Sequence, residues 1–212
     1  MASLLREEEW RISRQAALAA LAAPVVGVAV VAAAAADDTL YRAIVREDAL
    51  LEWLQVAAWG AALALALVLP RRTRGRECAF WVLFGVGAVA ALGEELSWGQ
   101  RILGFGTPEP LLDRDKQEEA TLHNVEELEA PTRVAVATVA AAAAVAAWTT
   151  ARVPRCLTTA FVLVAGYELL RLAGGDSPPY WVAKWSEWPE TCLAGGLAAV
   201  AALTLRRLES PP

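Results

Sequence analysis

Long apolar stretches, separated by polar segments, run along most of the chain. Six of them stand out, at residues 16–36, 50–69, 78–97, 134–151, 156–173 and 188–205. None alternates apolar and polar residues as a membrane β-strand does, and Ala- and Leu-rich runs bounded by Arg are typical of membrane-spanning helices. We therefore predict an all-α integral membrane bundle of about six transmembrane helices, formed by residues 1–212 as a single domain.

The first apolar stretch has two interpretations. Arg residues followed by an apolar segment that ends in a run of alanines are also found in secretory signal peptides, and cleavage would leave five spans. This stretch is longer than a usual signal core, and Glu7, Glu8 and Glu9 lie in its leader. We therefore expect the first helix to be retained.

Composition strengthens the membrane interpretation and excludes other classes. The chain is 57% hydrophobic over 212 residues, whereas soluble domains are nearer to about 45–50% apolar. A net charge of −5 gives no basic field for nucleic acid. Cys78, Cys156 and Cys192 are too widely spaced for a zinc pattern and odd in number for a disulfide framework. The expected surroundings are a lipid bilayer, with no nucleic-acid partner.

Charge is distributed unequally between the two sides of the predicted bundle. The side that holds both termini carries 11 of the 19 basic residues but only 5 of the 24 acidic residues. Because Lys and Arg are enriched in cytoplasmic loops, we expect both termini to be cytoplasmic. The abundance of Arg over Lys and of Ala is typical of a GC-rich bacterial genome, which favours a bacterial inner membrane. The outer side is acidic and should attract cations.

Helix length predicts that several charged side chains lie inside the membrane. A span needs about 20 residues, and Arg residues at the cytoplasmic ends can snorkel to the interface. Counting from those Arg residues brings a set of outer-end residues into the bilayer, namely Glu52, Glu94, Glu95, Glu168, Arg171, Glu187 and Glu190. Such residues must face the bundle, form pairs, take up protons or hold a cation.

Two groups of these charged residues have simpler explanations. Glu168 and Arg171 have the i,i+3 spacing of a helical ion pair. Glu52, Glu187 and Glu190 lie near helix starts, where wet headgroups and the helix dipole both favour an acid.

The densest polar segment, at residues 93–124, reads GEELSWGQRILGFGTPEPLLDRDKQEEATLHN. On a continuous helix, Glu94, Ser97, Trp98 and Arg101 would share one face. Glycines and prolines then break the helix, which predicts a structured outer loop over residues 98–132.

This segment supplies the candidate chemistry. Glu119 and His123 lie at i,i+4 on a predicted short helix, so both side chains can reach one metal ion. The candidate ligands of a divalent metal are Glu94, Glu95, Glu119 and His123. The candidate catalytic residues are Glu94, Glu95, His123, Gln100 and Arg101, the last two as groups that orient substrate. His123, the only histidine, is equally open to a hydrogen-bonding role or to proton transfer near neutral pH.

The same segment resembles a group of uncharacterised bacterial multi-pass membrane proteins with the pattern E-E-x-S-W-G-Q-R, then T-P-E, then N-x-Q-x-E-x-x-L-H-N. The matching residues are Glu94, Glu95, Ser97, Trp98, Gly99, Gln100, Arg101, Thr107, Pro108, Glu109, Gln117, Glu119, Leu122, His123 and Asn124. Asp115 stands where the group has Asn. A second match, E-D-x-x-x-E-W, runs from Glu47 to Trp53. The resemblance implies a shared architecture and a shared site, and it names no reaction.

Three functions fit these patterns. The first is a membrane enzyme, metal-dependent in one version, that acts on a lipid or lipid-linked substrate at an outward-facing polar site. The second is a non-catalytic subunit whose acidic outer face docks a membrane-protein partner or a second copy of the chain. The third is a cation- or proton-coupled transporter, although the inner halves of the predicted spans hold no ionisable residue.

Seven of the nine Trp residues lie near predicted span ends: Trp10, Trp53, Trp98, Trp148, Trp181, Trp185 and Trp188. That position is typical of an interfacial aromatic belt. Four aromatic residues near the last span, Tyr180, Trp181, Trp185 and Trp188, are also a candidate wall for stacking a lipid or a sugar.

Overall fold

The computed structural model describes residues 10–45, 49–107, 121, 125–150, 152–174 and 185–209, without the side chains of Arg101 and Glu126. Regular structure within these ranges is helical, with no strand, which confirms the predicted fold class. The α-helices are α1 Arg14–Ala35, α2 Asp38–Ile44, α3 Leu50–Arg72, α4 Gly75–Glu95, α5 Gln100–Leu103, α6 Glu126–Thr149, α7 Thr158–Ala173 and α8 Glu187–Glu209.

Six of these helices are long and apolar enough to cross a membrane: α1, α3, α4, α6, α7 with its preceding 3-10 turn, and α8. This finding supports a multi-pass membrane protein. The predicted outer loop was too long, because α6 begins at Glu126 and not at residue 134. Its first turns are charged and therefore invisible to hydropathy, although acids are favourable at a helix N-terminus.

A short helix, α2, connects the first two spans and was not predicted. Asp37 caps it by accepting hydrogen bonds from the backbone N–H groups of Thr39 and Leu40, at 2.9 and 3.0 Å. Capping of this kind satisfies donors that a helix start leaves free. The polar residues after α1 therefore form a helical turn, where the apolar pattern indicated only a loop.

The spanning helices pack in an order that sequence does not reveal. Helix α3 packs against both α4 and α8, and α7 packs against both α8 and α6. Close approach of α7 and α8 depends on Gly196, where a Cβ atom would lie 3.0 Å from the ring of Phe161. Helices α3, α7 and α8 therefore form the centre of the bundle.

Helix α1 lies against α7 and α8 and is held there by two hydrogen bonds. Trp188 Nε1 donates to the carbonyl oxygen of Pro24 at 2.9 Å, and Thr159 Oγ1 donates to that of Leu21 at 2.8 Å. Gly27 makes room for the indole, because a Cβ atom there would overlap the ring of Trp188. These contacts make α1 part of the described bundle.

The two ends of the bundle differ in chemistry. At the acidic end, α3, α6 and α8 begin and α4 and α7 end. At the opposite, arginine end, Arg155 lies 4.8 Å from the ring of Trp148 and Arg207 lies 4.7 Å from that of Trp10. Both are cation–π distances. The buried polar side chains of the described ranges belong to the acidic end and its loop: Glu52, Gln55, Ser97, Thr121 and Glu168.

Candidate functional site

Four charged side chains join α6 to α7 at the acidic end, and we call them the ion-pair clasp: Glu129, Arg133, Glu168 and Arg171. Arg133 lies 3.1 Å from Glu168 and 3.0 Å from Glu129, and Arg171 lies 3.4 Å from Glu129. Glu168 is only 3% exposed. Burial of a charge is costly unless it is paired and hydrogen-bonded, so Arg133 is the group that makes the position of Glu168 tolerable.

The alternative that pairs Glu168 with Arg171 does not match the contacts in the structure. Glu168 contacts Arg133 on the neighbouring helix, whereas Arg171 reaches Glu129 and donates to the hydroxyl of Tyr167 at 3.3 Å. The i,i+3 spacing permits a pair within α7, but α6 brings a second guanidinium about two turns below its first residue. Packing between helices decided the partner.

A second polar contact joins α3 to α8 and has a different character. Gln55 is fully buried, and its Nε2 donates to the carboxylate of Glu187 at 2.8 Å and to the carbonyl oxygen of Glu187 at 3.2 Å. The amide must face this way, since both atoms of Glu187 are acceptors. The other atom of the amide, Oε1, is buried and has no hydrogen-bond partner in the described part of the chain.

Glu190 lies one turn after Glu187 on α8 and is partly buried. Its carboxylate makes no hydrogen bond or ion pair with any residue that the structure describes. The charges that act on it are those of Glu187, Glu95, Glu168 and Arg133, and Arg133 is already bonded in the clasp. We call Gln55, Glu187 and Glu190 the open acceptor site, because Gln55 Oε1 and the carboxylate of Glu190 have no hydrogen-bond partner among the described residues.

Glu94 and Glu95 lie in different surroundings. Glu94 Oε1 accepts a hydrogen bond from Trp98 Nε1 at 2.5 Å, while Glu95 is close enough to Glu190 to act on it electrostatically. Consecutive helical residues are turned by about 100° from each other. Of these two candidate catalytic acids, Glu95 is therefore the one whose charge acts on Glu190 in the open acceptor site.

The shared face of Glu94, Ser97, Trp98 and Arg101 would require a continuous helix, and the structure does not have one there. Helix α4 ends at Glu95, and Ser97, Trp98 and Gly99 follow with φ of 47°, 50° and 93°. Residues other than glycine rarely adopt positive φ, and doing so costs of order 1–3 kcal/mol each. The fold supports this turn by packing Trp98 over Gly93, where a Cβ atom would lie 2.9 Å from the indole.

Some of the remaining motif residues lie within the described ranges, and others lie outside them. Gln100 Nε2 donates to Thr107 Oγ1 at 3.1 Å, which closes the turn after α5. The side chain of Arg101 and the whole of Glu119 and His123 lie outside the described residues. Within those residues, no three His, Cys, Asp or Glu side chains come together as metal ligands. The assignment of Glu94, Glu95, Glu119 and His123 as ligands of one metal therefore stays a prediction.

An apolar groove of about 220 Å³ lies between α1, α7 and the start of α8. Its lining includes Val31, Leu163, Tyr167, Trp185 and Trp188. Tyr167 lines the groove, and its hydroxyl accepts a hydrogen bond from Arg171. The charges of Glu190 and Glu168 also act on this hydroxyl. Tyr167 therefore connects the apolar groove to the polar residues of the acidic end.

Two of the four aromatic residues proposed as a stacking wall, Trp185 and Trp188, line this groove. Tyr180 and Trp181 lie outside the described residues. Sequence reasoning missed Gln55, Tyr167, Glu129 and Arg133. Gln55 had a signal, since an amide one turn after Glu52 interrupts an otherwise apolar span.

Glu52 is buried near the start of α3, at 8% exposure. It lies one turn before Gln55, so two polar side chains enter the bundle from α3. The predicted polar set of Glu52, Glu168, Glu187 and Glu190 thus belongs to one end of the bundle.

Comparisons with protein-family models, with curated proteins and with solved structures found no match for this chain.

Proposed function

We propose that this chain is a bacterial inner-membrane enzyme that acts on a lipid or lipid-linked substrate at its acidic end, which faces outward. The observation that carries the proposal is the position of Tyr167, between an aromatic groove and the open acceptor site. An amphipathic molecule needs this arrangement, because its apolar chain and its polar head must be bound side by side.

The residues divide into roles accordingly. Val31, Leu163 and Trp188 contact the apolar chain, because all three line the groove. Glu95 and Glu190 are the proton carriers, since one of two neighbouring carboxylates can donate a proton while the other accepts one. Arg171 uses two of its five N–H donors in the described contacts, so it has donors left for an oxygen of the head.

A divalent metal belongs to the proposal only through Glu119 and His123, with Glu94 and Glu95 as further ligands. Bound there, it would activate a water molecule or polarise a substrate oxygen. Metal content of the detergent-purified protein tests this part, with wild type measured beside His123→Ala and Glu95→Gln. We expect a stoichiometric metal that both variants lose; a wild type without metal, with both variants equally stable, would remove the metal from the proposal.

The lipid part is tested by filling the groove. Gly166 lines it, and a Cβ atom there would meet nothing within 4 Å. Gly166→Leu should therefore occupy the groove without disturbing the fold. Gly87→Leu on α4 is the matched control, because that position is equally open and no residue of α4 lines the groove. We expect native mass spectrometry to detect bound lipid in wild type and in Gly87→Leu but not in Gly166→Leu. Equal lipid in all three would contradict the proposal.

A non-catalytic subunit that docks a membrane-protein partner or a second copy is the second candidate. Large apolar side chains are exposed around α5 at the acidic end, including Ile102 at 67%, Leu103 at 76% and Phe105 at 41%. Such a patch fits a partner surface. Turnover of a lipid extract separates the two: the enzyme should change the extract and lose that activity in Glu95→Gln and Glu190→Gln, whereas a subunit should leave it unchanged.

A further inference from the structure

The open acceptor site has a chemical preference that follows from its atoms. Gln55 Oε1 is a fully buried acceptor without a donor in the described part of the chain, and the nitrogen of the same amide is already bonded to Glu187. Glu190 adds a carboxylate without an ion pair among the described residues. A buried polar group without a partner is costly. A ligand that fits must therefore donate hydrogen bonds and carry positive charge.

The surroundings of the site narrow the class of this ligand. Pro189, next to Glu190 in sequence, lines the apolar groove, and Tyr167 lies at the border between groove and site. A hydrophilic cation alone would leave the groove unused. A metal ion would need further ligands, since the described acids form no group of three around one point. A lipid whose head carries a cationic nitrogen group would use both the apolar groove and the unpartnered acceptors.

We propose that the open acceptor site binds the primary ammonium group of a lipid head, with N–H groups donated to Gln55 Oε1 and to the carboxylate of Glu190. A primary ammonium combines a full positive charge with three donors. A quaternary ammonium has the charge but no N–H group, so it leaves Gln55 Oε1 without a partner. This inference rests on the proposed function, because it names the head of the lipid whose chain occupies the groove.

The test uses the full chain, purified and delipidated in detergent. Its probes are phosphatidylethanolamine, phosphatidylcholine and phosphatidylglycerol with the same acyl chains, with binding followed by native mass spectrometry and thermal stabilisation. We expect phosphatidylethanolamine to bind about tenfold more tightly than either of the others, as the loss of one charge-assisted hydrogen bond predicts. Glu190→Gln should reduce this preference to near onefold. Glu209→Gln, at the arginine end, is the control and should keep it.

The remaining measurements distinguish failure of the ammonium site from failure of the proposed function. Gln55→Met removes the acceptor Oε1 without adding charge, and it should also reduce the preference, which provides a second test should Glu190→Gln not fold. Equal binding of all three lipids by wild type would overturn the ammonium site while leaving the lipid groove intact. Binding of none of them, with no lipid lost in Gly166→Leu, would overturn the proposed function itself. Competition by free ethanolamine as effective as that by the lipid would assign the site to a soluble amine and overturn the lipid head.

Discussion

The ion-pair clasp and the open acceptor site lie at the same end of the bundle and use the same kinds of residue, yet they differ in how their charges are satisfied. In the clasp, Glu129 and Glu168 both have a guanidinium within 3.4 Å. In the open acceptor site, the two hydrogen bonds described between α3 and α8 both come from Nε2 of Gln55. A closed network holds two helices together, whereas an open one has atoms left for a ligand.

The difference matters because both regions lie in helices long enough to span a membrane. Inside a bilayer, polar and ionisable side chains are expensive and mark functional sites. The ion pairs of the clasp offset that cost within the protein, so the role of the clasp is structural. The open acceptor site does not offset that cost, and it is therefore the better candidate for a functional site.

Breaking the clasp should have the largest effect on stability. Arg133→Met leaves the carboxylate of Glu168 buried without its guanidinium, and removal of one partner of a buried ion pair costs about 3–5 kcal/mol. We expect a loss of that size in the free energy of unfolding, measured by SDS titration in mixed micelles. The double variant Arg133→Met, Glu168→Met should recover most of it, since no buried charge then remains.

Wild-type stability in Arg133→Met would show that the clasp does not hold α6 to α7. The clasp and the open acceptor site would then no longer differ in this respect, because neither would have a structural role.

Sequence alone predicted the spans and the acidic end, because hydropathy and charge report directly on the surrounding solvent. It did not predict the partner of Glu168, because i,i+3 spacing concerns one helix and says nothing about which neighbour packs against it. The positive φ of Ser97 and Trp98 was equally hidden, since neither residue type favours that conformation. Gln55 was overlooked because its role depends on contact with Glu187, which is distant in sequence.

Glu94 offers an intermediate case, a carboxylate satisfied by a neutral donor. Glu94→Gln weakens the hydrogen bond from Trp98, which is half exposed, so we expect a loss of about 1 kcal/mol. The measurement is again the free energy of unfolding, within a double-mutant cycle with Trp98→Phe. A coupling energy near zero would mean that the contact does not support the turn after α4.

Glu190→Gln should have the smallest effect on stability and thereby gives the sharpest contrast. Its carboxylate has no ion pair to lose among the described residues, and the neighbouring charges of Glu187, Glu95 and Glu168 repel it. Removal of one negative charge should therefore change the free energy of unfolding by less than about 1 kcal/mol, in either direction. Lipid binding should fall in the same sample. A destabilisation as large as that of Arg133→Met would mean that Glu190 is held by a structural partner, and the open acceptor site would then be a second clasp.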